Sequence, residues 1–228
     1  MRYENSLDRY YLTNSLDELK TLPKEVRDGS RWSKEQVSFF GELCPASNFH
    51  AASFNHEGIH FENSEKAIFY KKAMKFDDKE MADRILKETD PRTIKNLSKS
   101  IKDVNESEWN ECIKDLITPV LFDKFNQNSH LLEWLRSTER RHLVEAAGPH
   151  DRVWGNGLKL NFYDLEDLYH WKGVNKQGSM LMKVRRMLCP ELYSDEAPAL
   201  SSSRNDEDGD AELQPSQILS TQPFDVNH

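Results

Sequence analysis

The sequence has little cysteine, and none of it is arranged to bind a metal. Its three cysteines, Cys44, Cys112 and Cys189, are odd in number and far apart, and they form no Cys-x-x-Cys or Cys/His ligand spacing. Free cysteines of this kind are typical of a reducing compartment. We therefore expect an intracellular protein, cytoplasmic or nuclear, without a disulfide framework or a metal centre.

Long apolar runs and an excess of positive charge are also missing. No stretch approaches the ~18 uninterrupted apolar residues of a membrane-spanning helix, and the N-terminus is polar and charged. The formal net charge is −8, and residues 194–228 carry most of it, with eight acidic residues against Arg204 alone. Because the rest of the chain is nearly neutral, it lacks the basic surface that long duplex nucleic acid requires. We expect no membrane anchor and a small or terminal ligand.

The length of 228 residues suits one domain with tails, since domains usually hold about 100–200 residues. Residues 1–33 are predicted to be a weakly ordered lead-in with at most one short helix, and residues 34–190 to form the domain. Residues 191–228 are rich in Ser, Asp, Pro and Gln and are predicted to be a disordered acidic tail. Such a tail could present short linear motifs to protein partners.

The pattern of apolar residues predicts an α+β, helix-rich domain with a small antiparallel β element. QVSFFGE at 36–42 is typical of a short strand, FNHEGIHF at 54–61 of two strand ends joined by a turn, and HLVEAA at 142–147 of a buried strand. Helices are predicted at 64–76, 78–88, 91–101, 106–126, 129–137 and 178–188. Pro119 should kink or split the fourth of these helices.

The stretch SEKAIFYKKAMKF, residues 64–76, places a glutamate and a lysine on one helical face. Glu65 and Lys72 are two helical turns apart, so both point in the direction of the apolar residues between them. Buried charges are costly unless they are paired or used. The two residues are therefore either the ends of an ordinary buried stripe or part of a catalytic site.

Two further segments combine aromatic and polar side chains. In PASNF, residues 45–49, a turn could project the amide of Asn48 between a proline and Phe49, or could simply cap a strand. In NESEWNEC, Trp109 has polar neighbours on every side. It is either a half-buried packing residue or a flat surface on which a base or sugar stacks.

Two glycine-containing segments near the end of the chain suit close approach to a ligand. LVEAAGPHDRVWGNG holds Glu145, Asp151, Trp154 and Gly155, and its glycines allow the backbone to come near a bound molecule. The alternative is an ordinary turn with a buried tryptophan. In WKGVNKQGS, Asn175 lies just ahead of a helix whose free N–H groups could bind an anion such as phosphate.

Together and in this order, these segments resemble the NADAR, or YbiA-like, superfamily over about residues 36–189. The resemblance implies a helix-rich domain that cleaves N-glycosidic bonds of ribose phosphates without a cofactor. Substrates of that family include early riboflavin-pathway intermediates and ADP-ribose attached to guanine. With the residue patterns, it makes Glu65, Lys72 and Asp151 our catalytic candidates. Our substrate-binding candidates are Asn48, Phe49, Trp109, Glu145, Trp154, Gly155 and Asn175.

The chemistry of this reaction explains those residue types. Cleaving a ribosyl–nitrogen bond builds positive charge on the sugar, which a carboxylate stabilises while it activates water. Glu65 and Asp151 are the predicted carboxylates. Lys72 could protonate the leaving group, neutralise phosphate or form a Schiff base with a ring-opened ribose. We expect the rings of Trp109 and Trp154 to stack against the base.

The expected partners are a small molecule that contains ADP-ribose or ribose phosphate, or ADP-ribosylated nucleic acid. One alternative is a reader that binds ADP-ribose or a modified nucleotide without catalysis. Another is a scaffold that acts through the acidic tail.

Overall fold

The computed structural model of the protein describes residues 29–195. The predictions made for residues 1–28 and 196–228, most of the lead-in and of the acidic tail, lie outside the described residues. Domain boundaries at 34 and 190 stay predictions, although a strand, Ser30–Trp32, lies upstream of the first of them. Among the described residues, no helix is long and apolar enough to cross a membrane.

Within residues 29–195, five short strands form two sheets. The first sheet joins β1 (Ser30–Trp32), β2 (Gln36–Phe39) and β5 (His142–Glu145) in the order β1-β2-β5. The β1 and β2 strands are antiparallel, and β2 and β5 are parallel with Phe39 opposite Glu145. Because parallel strands run in one direction, the carboxyl ends of β2 and β5 meet at the same edge of the sheet.

The second sheet is the predicted antiparallel hairpin. It pairs β3 (Phe54–His56) with β4 (Ile59–Phe61). The connecting residues Glu57 and Gly58 have φ values of 51° and 80°. Two successive positive φ values give a turn whose twist matches that of the strands it joins, and glycine adopts such a φ without strain.

Six α-helices lie among residues 29–195 and confirm the predicted helix-rich α+β fold. Side chains cap several of them: Asp78 accepts a hydrogen bond from Met81 N at 3.1 Å, and Asp90 accepts one from Thr93 N at 2.8 Å. The helices are α1 (Ser64–Lys75), α2 (Lys79–Lys87), α3 (Pro91–Ser98), α4 (Glu106–Asn126), α5 (Ser129–Ser137) and α6 (Lys176–Leu188).

Pro119 was predicted to kink or split α4. The split is wrong, because the helix continues through Pro119 to Asn126, and the kink stays a prediction. Pro119 is exposed. On that face of the helix, water can satisfy the carbonyl that loses its N–H partner, so the cost of the proline is reduced.

The main core lies between the three-stranded sheet and the helices α1, α4 and α6. Ile113, Ile117 and Leu121 of α4 are fully buried there against Leu181 and Val184 of α6. A smaller cluster joins α2 and α3 to α1. A third packs the loop after β5 against Phe40, the residue that follows β2. These three clusters fix the elements that surround the carboxyl edge of the sheet.

Candidate active site

A cleft of about 620 Å³ opens at the carboxyl edge of the three-stranded sheet. Its size falls within the ~300–1,000 Å³ typical of small-molecule sites. It is lined from several elements: the segments after β2 and β5, one face of α1, and side chains of α3 and α4. Six of the ten sequence candidates line it: Phe49, Lys72, Trp109, Glu145, Asp151 and Trp154. The other four, Asn48, Glu65, Gly155 and Asn175, stand beside or behind its wall.

Glu65 is fixed in the first turn of α1 by contacts that begin at Asn48. The Glu65 N–H donates to the Asn48 carbonyl at 3.0 Å, and the Ser64 hydroxyl donates to Asn48 Oδ1 at 2.9 Å. Asn48 and Gln177 of α6 exchange two side-chain hydrogen bonds, of 3.1 and 3.0 Å. Both amide atoms of Asn48 therefore have protein partners. Asn48 thus fixes the position of Glu65. A contact between Asn48 and substrate stays a prediction.

The Glu65 carboxyl is buried and favours its protonated form. The residue is 8% exposed, and burial raises the pKa of its carboxyl to about 7 against the opposing effect of the Lys95 charge. No hydrogen bond to this carboxyl occurs among residues 29–195. A carboxyl with a pKa near neutrality can act as an acid or a base under physiological conditions.

Lys72 does not form an ion pair with Glu65. Its ammonium lies 2.8 Å from a carboxylate oxygen of Glu106, at the start of α4, and 5.6 Å from the centre of the Trp109 ring. The side chain of Lys72 is only 15% exposed, whereas that of Glu106 is 67% exposed. The more exposed Glu106 carboxylate therefore holds the Lys72 ammonium at the wall of the cleft.

Glu145 ends β5 at the base of the cleft. It is 7% exposed, and its Oε2 atom is buried without a hydrogen-bond partner. Burial raises the pKa of its carboxyl to about 8, and the charges of Asp151 and Glu65 act in the same direction. The charges of two other carboxyl groups thus act on Glu145, and nearby like charges disfavour its ionised form.

Asp151, Trp154 and Gly155 form one compact turn beside Glu145. Asp151 Oδ1 accepts hydrogen bonds from the N–H groups of Trp154 at 2.9 Å and Gly155 at 3.4 Å. A Cβ atom at Gly155 would stand 2.7 Å from the Glu145 carbonyl oxygen, so only glycine lets the turn pack this closely. The turn therefore brings Asp151 and Trp154 to the cleft wall.

The prediction of free N–H groups at the start of α6 is wrong for residues 174–177. Their N–H groups donate to the carbonyls of residues 152–155 at 2.9 to 3.1 Å, so these four are not free to bind an anion. The Asn175 side chain instead accepts from Glu145 N at 3.0 Å and donates to the Leu143 carbonyl at 2.9 Å. Asn175 thus fixes the end of β5, and a direct role in binding substrate stays a prediction.

The three aromatic candidates differ in how much surface they offer to a ligand. Trp109 is 4% exposed and belongs to the main core, so only an edge of it reaches the cleft. Trp154 is half-buried, and Phe49 is 39% exposed with the Lys95 ammonium 5.2 Å from its ring centre. Trp154 and Phe49 are therefore better placed than Trp109 to stack a flat ring.

Sequence analysis missed three basic side chains of the cleft. Lys95 of α3, His150 and Arg152 all line it. Nothing in the sequence distinguishes Lys95 from an ordinary exposed lysine in a short helix. His150 and Arg152 belong to the segment GPHDRVWGNG, in which only Asp151, Trp154 and Gly155 were predicted to be site residues. Among residues 29–195, only Asp164, Asp167 and His170 are grouped as metal ligands could be, and none of these lines the cleft.

Comparison with known proteins gives a family match and several relatives. A family model described as the NADAR domain matches residues 17–189. Protein irg-1 of Caenorhabditis elegans is 31% identical over 172 residues, covering 68% of this chain and 81% of that protein. A protein named N-glycosidase R617, from Acanthamoeba polyphaga mimivirus, is 28% identical over 157 residues, with 69% of this chain and 91% of that protein covered.

A bacterial relative adds structural similarity. The Escherichia coli protein named N-glycosidase YbiA is 27% identical over 145 residues, covering 64% of this chain and 81% of that protein. The NMR structure of YbiA matches with a TM-score of 0.57 at 22% identity, over 77% of this chain and 98% of that one. The structural match shows that the two proteins share a fold.

Proposed function

The chain belongs to the NADAR domain family, and on that premise we propose that it is an N-glycosidase that hydrolyses the bond between a ribose and a base nitrogen. Relatives of the chain carry the name N-glycosidase, which supports this reaction class. The observation that carries the proposal is that Glu145 and Asp151 line one cleft and that Glu65, beside its wall, is near enough for its charge to raise the pKa of Glu145. The pKa values of Glu65 and Glu145 are about 7 and about 8.

Carboxyl groups of this kind suit the reaction because it needs both an acid and a base. As the bond to the base breaks, the sugar gains positive charge, which the Glu65 carboxylate stabilises while it draws a proton from the attacking water. Asp151, fixed by its turn, supplies a second negative charge at the cleft. Glycosidases that cleave C–O bonds commonly divide this work between two carboxyl groups.

The lining of the cleft suits a substrate with a flat base and a phosphate. Trp154 and Phe49 offer aromatic surface for the base. Lys72, Lys95 and Arg152 supply positive charge on the cleft wall, which favours a phosphorylated ribose over a neutral nucleoside. As an ammonium paired with Glu106, Lys72 suits phosphate binding better than Schiff-base formation.

We propose ADP-ribose attached to guanine, free or in nucleic acid, as the substrate, with an early riboflavin-pathway intermediate as the second candidate. Both join a phosphorylated ribose to a nitrogen of a flat or potentially flat heterocyclic system. The cleft volume of about 620 Å³ accommodates the ribose, the base and part of the phosphate chain.

The test is direct. The purified full-length protein is incubated with an oligonucleotide that carries ADP-ribosylated guanine and, separately, with the riboflavin-pathway intermediate, and products are identified by mass spectrometry. Release of unmodified guanine oligonucleotide, or of the free heterocycle, supports the proposal. A folded protein that binds ADP-ribose and releases nothing from either substrate would be a reader, and the proposal would be wrong.

A further inference from the structure

Glu145 combines a rigid backbone with an unsatisfied side chain. Its N–H donates to Asn175 Oδ1 at 3.0 Å, and its carbonyl accepts from Asn156 N at 2.9 Å. A Cβ atom at Gly178 would stand 1.8 Å from the carbonyl oxygen of Leu143, so α6 packs directly on this strand. The backbone is thus held from several sides, yet Oε2 has no partner.

An unsatisfied buried oxygen needs an explanation, because buried polar atoms are almost always hydrogen-bonded. Glu145 stabilises nothing in the fold through Oε2, and a side chain without an ionisable group would be cheaper to bury. Since Glu145 lines the cleft, a ligand bound there can approach its carboxyl group. A protonated carboxyl can donate a hydrogen bond to that ligand, whereas a carboxylate cannot.

Resting on the proposed function, we propose that Glu145 is the general acid that protonates the departing base. Its carboxyl proton passes to the base nitrogen as the ribosyl–nitrogen bond breaks, and the electron pair of that bond stays with the base. Water then forms the new bond to the ribose and gives its proton to the Glu65 carboxylate. Glu65 releases this proton to solvent, and Glu145 takes one up before the next turnover.

The electrostatic environment supports this division of roles. Burial, Asp151 and Glu65 all raise the pKa of Glu145, to about 8, and Lys95 opposes the effect of burial on Glu65, whose pKa is about 7. Burial and two neighbouring carboxylates thus favour the protonated form of Glu145, whereas Lys95 favours the ionised form of Glu65. The other charged or titratable side chains that line the cleft are Lys72, Glu106, His150 and Arg152.

The experiment compares two leaving groups. One substrate is the oligonucleotide with ADP-ribosylated guanine, whose base needs a proton in order to leave. The other is a 4-nitrophenyl riboside with the same phosphorylated ribose, whose nitrophenolate leaves without one. Glu145→Gln should lower kcat on the first by at least ~100-fold with little change in KM, and on the second by only a few-fold.

Glu65→Gln is the matched control, because Glu65 acts on the sugar and the water. It should slow both substrates strongly. An equal effect of Glu145→Gln on the two substrates, or no effect on either, would overturn the proposal while leaving the N-glycosidase function intact. If wild-type protein releases no base at all, the proposed function itself fails.

The wild-type protein alone provides a second test, which does not depend on a variant that folds. Its rate on the base substrate should fall above about pH 8, where Glu145 loses its proton. The same decline should be absent with the nitrophenyl substrate. An identical alkaline decline for both substrates would contradict the role of Glu145 as the acid.

Discussion

Replacing Glu65 with glutamine should make the folded protein more stable at pH 8, although it should abolish most activity. The carboxyl of Glu65 is buried without a hydrogen bond in the described structure, and its pKa rises from 4.5 to about 7 on folding, chiefly through burial. At ~1.4 kcal/mol per pKa unit, this rise corresponds to about 3 kcal/mol of unfolding free energy. Glutamine has nearly the same shape and no charge to bury.

The sign follows from the two protonation states. Below pH 4.5 the carboxyl is protonated in both the folded and the unfolded protein, and Glu65 costs nothing by ionisation. Between pH 4.5 and about 7 the unfolded chain releases its proton and the folded protein keeps it, so stability falls as the pH rises. Above about pH 7 the folded protein carries the buried charge, and the full cost is present.

Urea unfolding of wild type and Glu65→Gln at pH 5 and pH 8 measures this difference. The advantage of the variant should grow by about 2–3 kcal/mol between the two pH values. Glu62→Gln is the control. Burial is the largest single effect on the pKa of Glu62 and raises it, but the hydrogen bond to Lys66, a backbone hydrogen bond and the charges of Lys66 and His60 together lower the pKa. This variant should therefore gain nothing at pH 8. Equal stability of wild type and Glu65→Gln at both pH values would refute the account of a buried, unpaired carboxyl.

Two further predictions concern the ligand. Trp154→Ala should weaken ADP-ribose binding by ~1–3 kcal/mol in calorimetric titration and leave the melting temperature nearly unchanged. Trp109→Ala should instead lose ~3–5 kcal/mol of unfolding free energy. The reverse pattern would make Trp109 the stacking residue and Trp154 the core residue. Affinity for an unmodified oligonucleotide should be weak and strongly dependent on salt, and excess ADP-ribose should displace it, because the body of the chain is nearly neutral. Tight binding that ADP-ribose cannot displace would contradict this.

Local signals in the sequence were sufficient for most of the fold. The bounds of α4 and α5 agree with the predicted ranges because each helix follows a short capping or breaking segment and has a continuous apolar pattern. The hairpin was predicted from Glu57 and Gly58, whose turn is a property of neighbouring residues. Strand β1 was missed, because three residues with mixed burial leave no alternating pattern to read.

Features that depend on distant contacts could not be predicted. The N–H groups at the start of α6 looked free because the carbonyls that bind them belong to the turn at 152–155. Asn48 looked like a ligand-binding amide because its partner Gln177 lies 129 residues away. Lys95 reaches the cleft only because α3 packs beside α1. Periodicity predicts which face of an element is buried, but it does not say which elements meet.

The most direct test of the central claim is the release of base from ADP-ribosylated guanine by wild-type protein and by Glu65→Gln, measured side by side with both proteins shown to be folded. The account predicts turnover by wild type and at least a ~100-fold lower rate for the variant, the scale expected when a key acid–base or electrostatic group is lost. Near-normal turnover by a correctly folded Glu65→Gln protein would contradict the assignment of this cleft as the active site.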